Sequence, residues 1–233
     1  MAVIWDSAKY SENYSSIKDL RPDSPYYGQG VSMTNGARYY ASLLDGNIDY
    51  SLKHWSNRLN ELGLKVSAFS QNDNILVVGC GFGYLVETIK DVGGNNVWGT
   101  DNSPFIHSKR LDPDFVRSDI SSLILDIDIN SPTALTQFKN ASAGNNKGQF
   151  TWIITDLVIE SLNDSELTIF FSSCDALKTS GQSGVIHIFA SRLENNVQDP
   201  EMFWRTGEEL LVLASNNGHM FLDVHGWTLY RAV

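Results

Sequence analysis

Cysteine is nearly absent from this 233-residue chain: Cys80 and Cys174 are its only two. Two such thiols build neither a disulfide framework nor a cysteine metal cluster, and they fit a reducing cytoplasm. Long apolar runs are missing too, none approaching the ~18 residues that a membrane span needs. The first residues carry no basic segment ahead of an apolar one and no small-residue cleavage site, so no secretory signal is read there. Basic residues are few, 17 Lys and Arg against 27 Asp and Glu, and they are scattered. With a formal net charge of −10, nucleic acid is a disfavoured partner, because a duplex binder clusters its cations against the phosphates. His54, His107, His187, His219 and His225 show no metal-ligand spacing with each other or with cysteine, so no metal is expected. Neither a Gly-x-Ser-x-Gly nucleophile turn nor a phosphate-cradling lysine loop is present.

What the chain does have is apolar mass, 42% of its residues, enough for one large α/β domain with a short appendage. The texture changes near residue 70. Residues 1–70 read as an N-terminal arm on the lid or substrate side, ending in an amphipathic helix. In that helix Ile48, Leu52, Trp55, Leu59 and Leu62 share one face, Asn47 caps the start and Gly63 stops it. Tyr10, Tyr14, Tyr26 and Tyr27 on the arm either seal a binding crevice or pack the arm onto the core.

Residues 71–233 alternate strand and helix. Ile75–Val78, Val97–Thr100, Phe115–Arg117, Phe150–Thr155 and Val185–Ala190 read as strands, the third being the weakest. Helices are expected over Tyr84–Val92 and Ser131–Asn140, and from the Asn163/Glu166 capping pair to Gly181. Another follows the Thr206/Glu209 pair and ends at Gly218. Met220–Val224 and Trp227–Ala232, meeting at His225-Gly226, read as a closing hairpin. The expectation is a mostly parallel sheet with an antiparallel end.

The strongest local signal is Ile75-Leu-Val-Val-Gly79-Cys80-Gly81-Phe82-Gly83-Tyr84. A strand running into glycines and then a helix brings bare backbone close to a nucleotide-like ligand. Cys80 within it is a small tolerated residue rather than a nucleophile. Asp101 follows at the end of the second strand, where a carboxylate can accept both hydroxyls of a ribose; it can equally cap the helix start at Ser103-Pro104. Asp119, in Arg117-Ser118-Asp119-Ile120, can accept the amine of an adenine with Ile120 against the ring, or cap a turn before Ser121-Ser122.

Val-Val-Gly79-Cys-Gly81-Phe-Gly83, then Asp101, Ser118-Asp119 and Thr155-Asp156-Leu157-Val158, resembles the motif series of class I, Rossmann-like S-adenosylmethionine-dependent methyltransferases over roughly residues 72–233. The resemblance implies a seven-stranded, mostly parallel sheet with helices on both faces and a C-terminal antiparallel hairpin. It also implies S-adenosylmethionine as cofactor and S-adenosylhomocysteine as product. Gly79, Gly81 and Gly83 would wrap the methionine part, with Cys80 and Tyr84 beside them. Asp101 and Asn102 would hold the ribose, Ser118, Asp119 and Ile120 the adenine, and Asp156 would line the pocket near the acceptor. Asp156 and Glu160 are the carboxylates placed to act as a base, if the acceptor must lose a proton; Glu160 reads equally as a solvated loop residue. Val77 departs from the pattern, since many members carry an acid two positions before the first glycine.

Asp156 is followed by Leu-Val-Ile rather than by the prolines and aromatic typical of DNA-base methylation, so the acceptor is expected to be a small molecule or a protein side chain. A different reading is a methyltransferase-like subunit that binds cofactor without turnover. A dinucleotide-dependent oxidoreductase fits less well, because its third glycine would fall at Tyr84.

Overall fold

Ile75, Leu76, Val77 and Val78 are all buried, as a strand covered on both faces must be. The computed structural model describes residues 72–91, 93–94, 96–111, 116–141, 149–156, 158–178, 185–189, 203, 205–223 and 227–231, with backbone alone at 84, 105, 109, 156, 160, 185–189, 207, 219–223 and 227–231. The arm over 1–70, with its tyrosines and its amphipathic helix, lies outside the described residues.

Strands β1 (Asn74–Val78), β2 (Asn96–Asp101), β3 (Ile124–Asp126), β4 (Trp152–Asp156), β5 (Val185–Phe189), β6 (His219–Asp223) and β7 (Trp227–Arg231) form one sheet in the order β3-β2-β1-β4-β5-β7-β6. Pairing is parallel from β3 across to β5. It turns antiparallel where β7 lies between β5 and β6. Strand β1 lies between β2 and β4, so the strand order reverses at β1 and opens a crevice above its carboxyl end.

The helices are α1 (Tyr84–Asp91), α2 (Pro104–Lys109), α3 (Ala134–Ala141), α4 (Asp164–Leu177) and α5 (Gly207–Asn216). Strand residues point alternately to the two faces, and the core divides accordingly. Ile75 and Val77 pack with Leu85, Val86 and Ile89 of α1, together with Val97 and Ile154. Leu76, Val78 and Ile153 pack instead with Phe138 of α3, Phe170, Phe171 and Leu177 of α4, and Leu210 and Ala214 of α5. The sheet therefore carries helices on both sides.

Both capping pairs read from the sequence are present: Asn163 with Glu166 opens α4, and Thr206 with Glu209 opens α5. Helix α4 ends earlier than Gly181, at Leu177, where Lys178 turns extended and its main chain bridges to Phe150. One strand lies elsewhere than expected. Around Arg117 the chain makes successive turns, Ile120 N donating to Arg117 O and Leu123 N to Ile120 O, at 3.0 and 2.8 Å. The third strand follows at Ile124–Asp126 and pairs Asp126 with Asp101. Asp119 thus precedes β3 instead of ending it.

Candidate functional site

The carboxyl ends of the first four strands enclose a crevice of about 360 Å³, within the range of small-molecule sites. Val78 and Gly79 come from the end of β1, and Thr100, Asp101 and Asn102 from the end of β2. Ile127 to Asn130 follow β3; Val158, Ser161 and Leu162 follow β4; Glu166 and Ile169 sit on α4.

Asp101 is the centre of this arrangement. It is buried, 9% exposed, yet lines the crevice. Its Oδ2 accepts the N–H of Gly81 and its Oδ1 that of Ser103, each at 2.9 Å. The carboxylate thus ties the glycine loop to the start of α2, where Ser103 is the N-cap and Pro104 the first residue. Its place on the crevice wall and its bond to the start of α2 coexist. Burial raises the Asp101 carboxyl above the ordinary aspartate range, while the N–H groups of Ser103 and Gly81 pull it back down. His107 of α2 places Nε2 2.7 Å from the Asp101 carbonyl and 3.2 Å from Asp126 Oδ1, joining the ends of β2 and β3.

The loop glycines divide their labour. Gly79, Gly81 and Gly83 have φ of 63°, 53° and 87°, a region that side chains resist. Gly79 faces the crevice, but a Cβ there would fall 2.1 Å from Val158 Cγ2, so the protein itself requires the bare position. A Cβ on Gly83 would meet Ile124 Cδ1 at 2.8 Å and Ile120 Cδ1 at 2.9 Å. That glycine lets α1 approach β3 closely and does not line the crevice. The Cys80 thiol packs toward Gly99 and Val86, and burial raises it well above the ordinary thiol range, which holds it protonated.

Ser118, Asp119 and Ile120 lie away from the crevice. The Asp119 carboxylate is held by Arg117 Nε at 2.6 Å and Lys90 Nζ at 3.0 Å, which lowers it to about 2, the guanidinium being the larger cause. Lys90 and Asp91 close α1, and Arg117 binds Asp91 through two nitrogens, so this ion cluster sits at the far end of the helix from the glycine loop. Ile120 is fully buried with Phe82, Ile106, Val116 and Ile124. Ser118 is exposed, its carbonyl accepting from Ser121. The crevice brings together Gly79, Asp101 and Asn102; the side chains of Tyr84, Asp156 and Glu160 lie outside the described residues.

In the place expected of Asp119 the crevice has the loop after β3, which sequence reasoning missed. Thr100 Oγ1 donates to the Ile127 carbonyl and anchors that loop. Asp128 Oδ1 accepts from Asn130 N at 2.9 Å, a local turn. Asn130 lines the crevice, and its Oδ1 is a buried acceptor with no protein partner. Asp101 also retains acceptor capacity, since a carboxylate offers about four lone-pair directions and the main-chain N–H groups of Gly81, Ser103 and Asn102 take at most three. Asp101, Asp128 and Glu166 line the crevice, and no Lys or Arg does so among the described residues. These donors and acceptors fit a cationic nucleoside that carries hydroxyls and an amine. No group of three or more His, Cys, Asp or Glu able to hold a metal occurs among the described residues.

Sheet order and crevice together define the fold of S-adenosylmethionine-dependent methyltransferases, and solved structures with that fold superpose on this chain. DesVI of Streptomyces venezuelae matches with a TM-score of 0.56 at 13% identity, over 84% of this chain and 97% of its own. An S-adenosylmethionine-dependent methyltransferase of Clostridium acetobutylicum gives 0.54 at 14% identity, over 84% of this chain and 98% of its own. Human N-acetylserotonin methyltransferase, solved with S-adenosylmethionine, gives 0.51 at 13% identity, over 97% of this chain and 67% of its own. By sequence the chain matches no family model and no curated relative.

Proposed function

We propose that this chain is an S-adenosylmethionine-dependent methyltransferase acting on a small molecule or a protein side chain, with the small molecule favoured. The observation that carries the reading is the buried Asp101 carboxylate, locked by Gly81 and Ser103 and still open to the crevice. It would accept the ribose hydroxyls beside Asn102, while Asp128 and Asn130 would take the adenine edge in the place first assigned to Asp119. The main chain at Gly79 and Gly81 would face the methionine end. S-adenosylmethionine bound there supplies a methyl group already activated on a sulfonium. The remaining task of the protein is alignment and exclusion of water, worth roughly 7–11 kcal/mol in well-oriented reactions. Asp156, at the end of β4, and Glu160, in the 3₁₀ turn after it, stay the proposed bases for an acceptor that must lose a proton.

The acidic lining supports a positively charged cofactor, and solved structures of similar fold support the acceptor class: one is an N-acetylserotonin methyltransferase, and CalS10 of Micromonospora echinaspora is an amino pentose methyltransferase with a TM-score of 0.51. Both cysteines are free, Cys174 buried, as suits the proposed reducing cytoplasm. No helix among the described residues is long and apolar enough to cross a membrane.

Calorimetric titration with S-adenosylmethionine and S-adenosylhomocysteine tests the proposal. Micromolar binding that Asp101→Ala abolishes is expected, followed by turnover in a coupled assay across an acceptor panel. Binding of a nicotinamide dinucleotide in their place would overturn it. Cofactor binding with no methylated product from any acceptor would identify a catalytically silent subunit.

A further inference from the structure

We infer that Arg205 is a positioning residue of the site: it sets the main chain between β4 and α4 and, through it, one wall of the crevice. The inference rests on the cofactor reading of that crevice. Arg205 lies just before α5, and its side chain is 8% exposed. All five of its N–H donors are in use. Nη1 donates to the carbonyls of Ile159 and Phe203 at 3.0 and 3.3 Å, and Nη2 to that of Leu162 at 2.6 Å. Nε and Nη2 both reach Asp164 Oδ1, at 3.0 and 2.8 Å.

The acceptors are what give this fork a function. Ile159 and Leu162 bracket Ser161, and Ser161 and Leu162 line the crevice. Asp164 is the first residue of α4, whose Glu166 and Ile169 continue the same wall. The segment's own bonds are local, Ser161 N to Val158 O and Leu162 N to Ile159 O, and cannot fix where it stands relative to Asp101. A guanidinium from 41 positions further along the chain can. Asp164 is 72% exposed, so its ion pair adds little by itself. Carbonyls in three directions demand a planar fork; a lysine has three donors on one nitrogen and cannot reach them all.

Arg117 supplies the comparison, a second arginine with several carboxylate partners but remote from the crevice. In the full chain, Arg205→Lys and Arg205→Gln are expected to weaken S-adenosylhomocysteine binding at least 10-fold, measured by calorimetry well below the melting temperature. Amide hydrogen exchange should speed up over residues 158–166 and stay unchanged in β1. Arg117→Ala is expected to lower the melting temperature and leave affinity intact. Loss of melting temperature in both Arg205 variants, with affinity and exchange at 158–166 unchanged, would make Arg205 a stabilising residue only and overturn the inference. Failure of the wild-type chain to bind S-adenosylhomocysteine would instead remove the cofactor reading and this inference with it.

Discussion

In the proposed reading Asp101 carries two duties on one carboxylate, and its protonation separates them. Burial raises its carboxyl in the folded protein above the ordinary 3.8. The sign follows: holding it ionised costs stability at neutral pH, and that cost fades as pH falls through the raised folded value. Ligand affinity moves the other way, because a protonated carboxyl has lost acceptor capacity. S-adenosylhomocysteine affinity is therefore expected to decline, on acidification, at a pH above that of an ordinary aspartate. Calorimetry from pH 7 down to pH 4 checks this, and a flat profile would mean that the carboxyl stays ionised throughout or takes no part in binding. Gly83 gives a purely conformational prediction. With φ at 87° and two isoleucine methyls in the way, Gly83→Ala should cost about 1–3 kcal/mol, seen as a fall of roughly 2–12 °C in melting temperature. Asp101 and the glycines were legible in the sequence because their spacing follows a strand, a turn, a helix and a second strand. Asn130, Ser161 and Leu162 were not, because a crevice wall assembled from three loops leaves no periodicity in any one of them.

At the scale of elements, the chain announces most of its strands through apolar runs and its longer helices through their caps. The capping box at Asn163 predicts its own test: Asn163→Ala should destabilise by about 1 kcal/mol, a drop of roughly 2–4 °C, measurable by thermal melting. An unchanged melting temperature would mean that Glu166 alone holds the helix start. The third strand was misplaced for a physical reason. Phe115-Val-Arg117 has the more apolar and aromatic composition, but Arg117 is drawn into the ion cluster at the end of α1 and the chain must turn there. Ile124-Leu-Asp126 pairs over three residues only, and acids at Asp126 and Asp128 hide it from a search for hydrophobic runs. Alternation of Ile127 and Ile129 with those acids was the available signal, since both isoleucines are buried.

At the scale of the whole molecule, the proposed binding groups stand on the ends of strands that are packed by core clusters on both faces of one sheet, so ligand contacts and global stability are expected to be coupled. The ordered core spans β1 to α5 on both faces of the sheet, and the crevice opens over its middle. A ligand present at 100 times its Kd adds about 2.7 kcal/mol to the folded state, a delay of several degrees in unfolding. S-adenosylhomocysteine is expected to produce such a delay in the wild-type chain and none in Asp101→Ala; equal delays in both would show that its hold does not run through that carboxylate. The bond from Gly81 to Asp101 gives this coupling a practical use. If the side chain that fastens this turn also greets a guest, as proposed, heat becomes a reporter of occupancy: a library of amines, phenols and sugars, warmed with the protein and saturating S-adenosylhomocysteine, would rank candidate acceptors by how long each postpones melting, before any product has been detected.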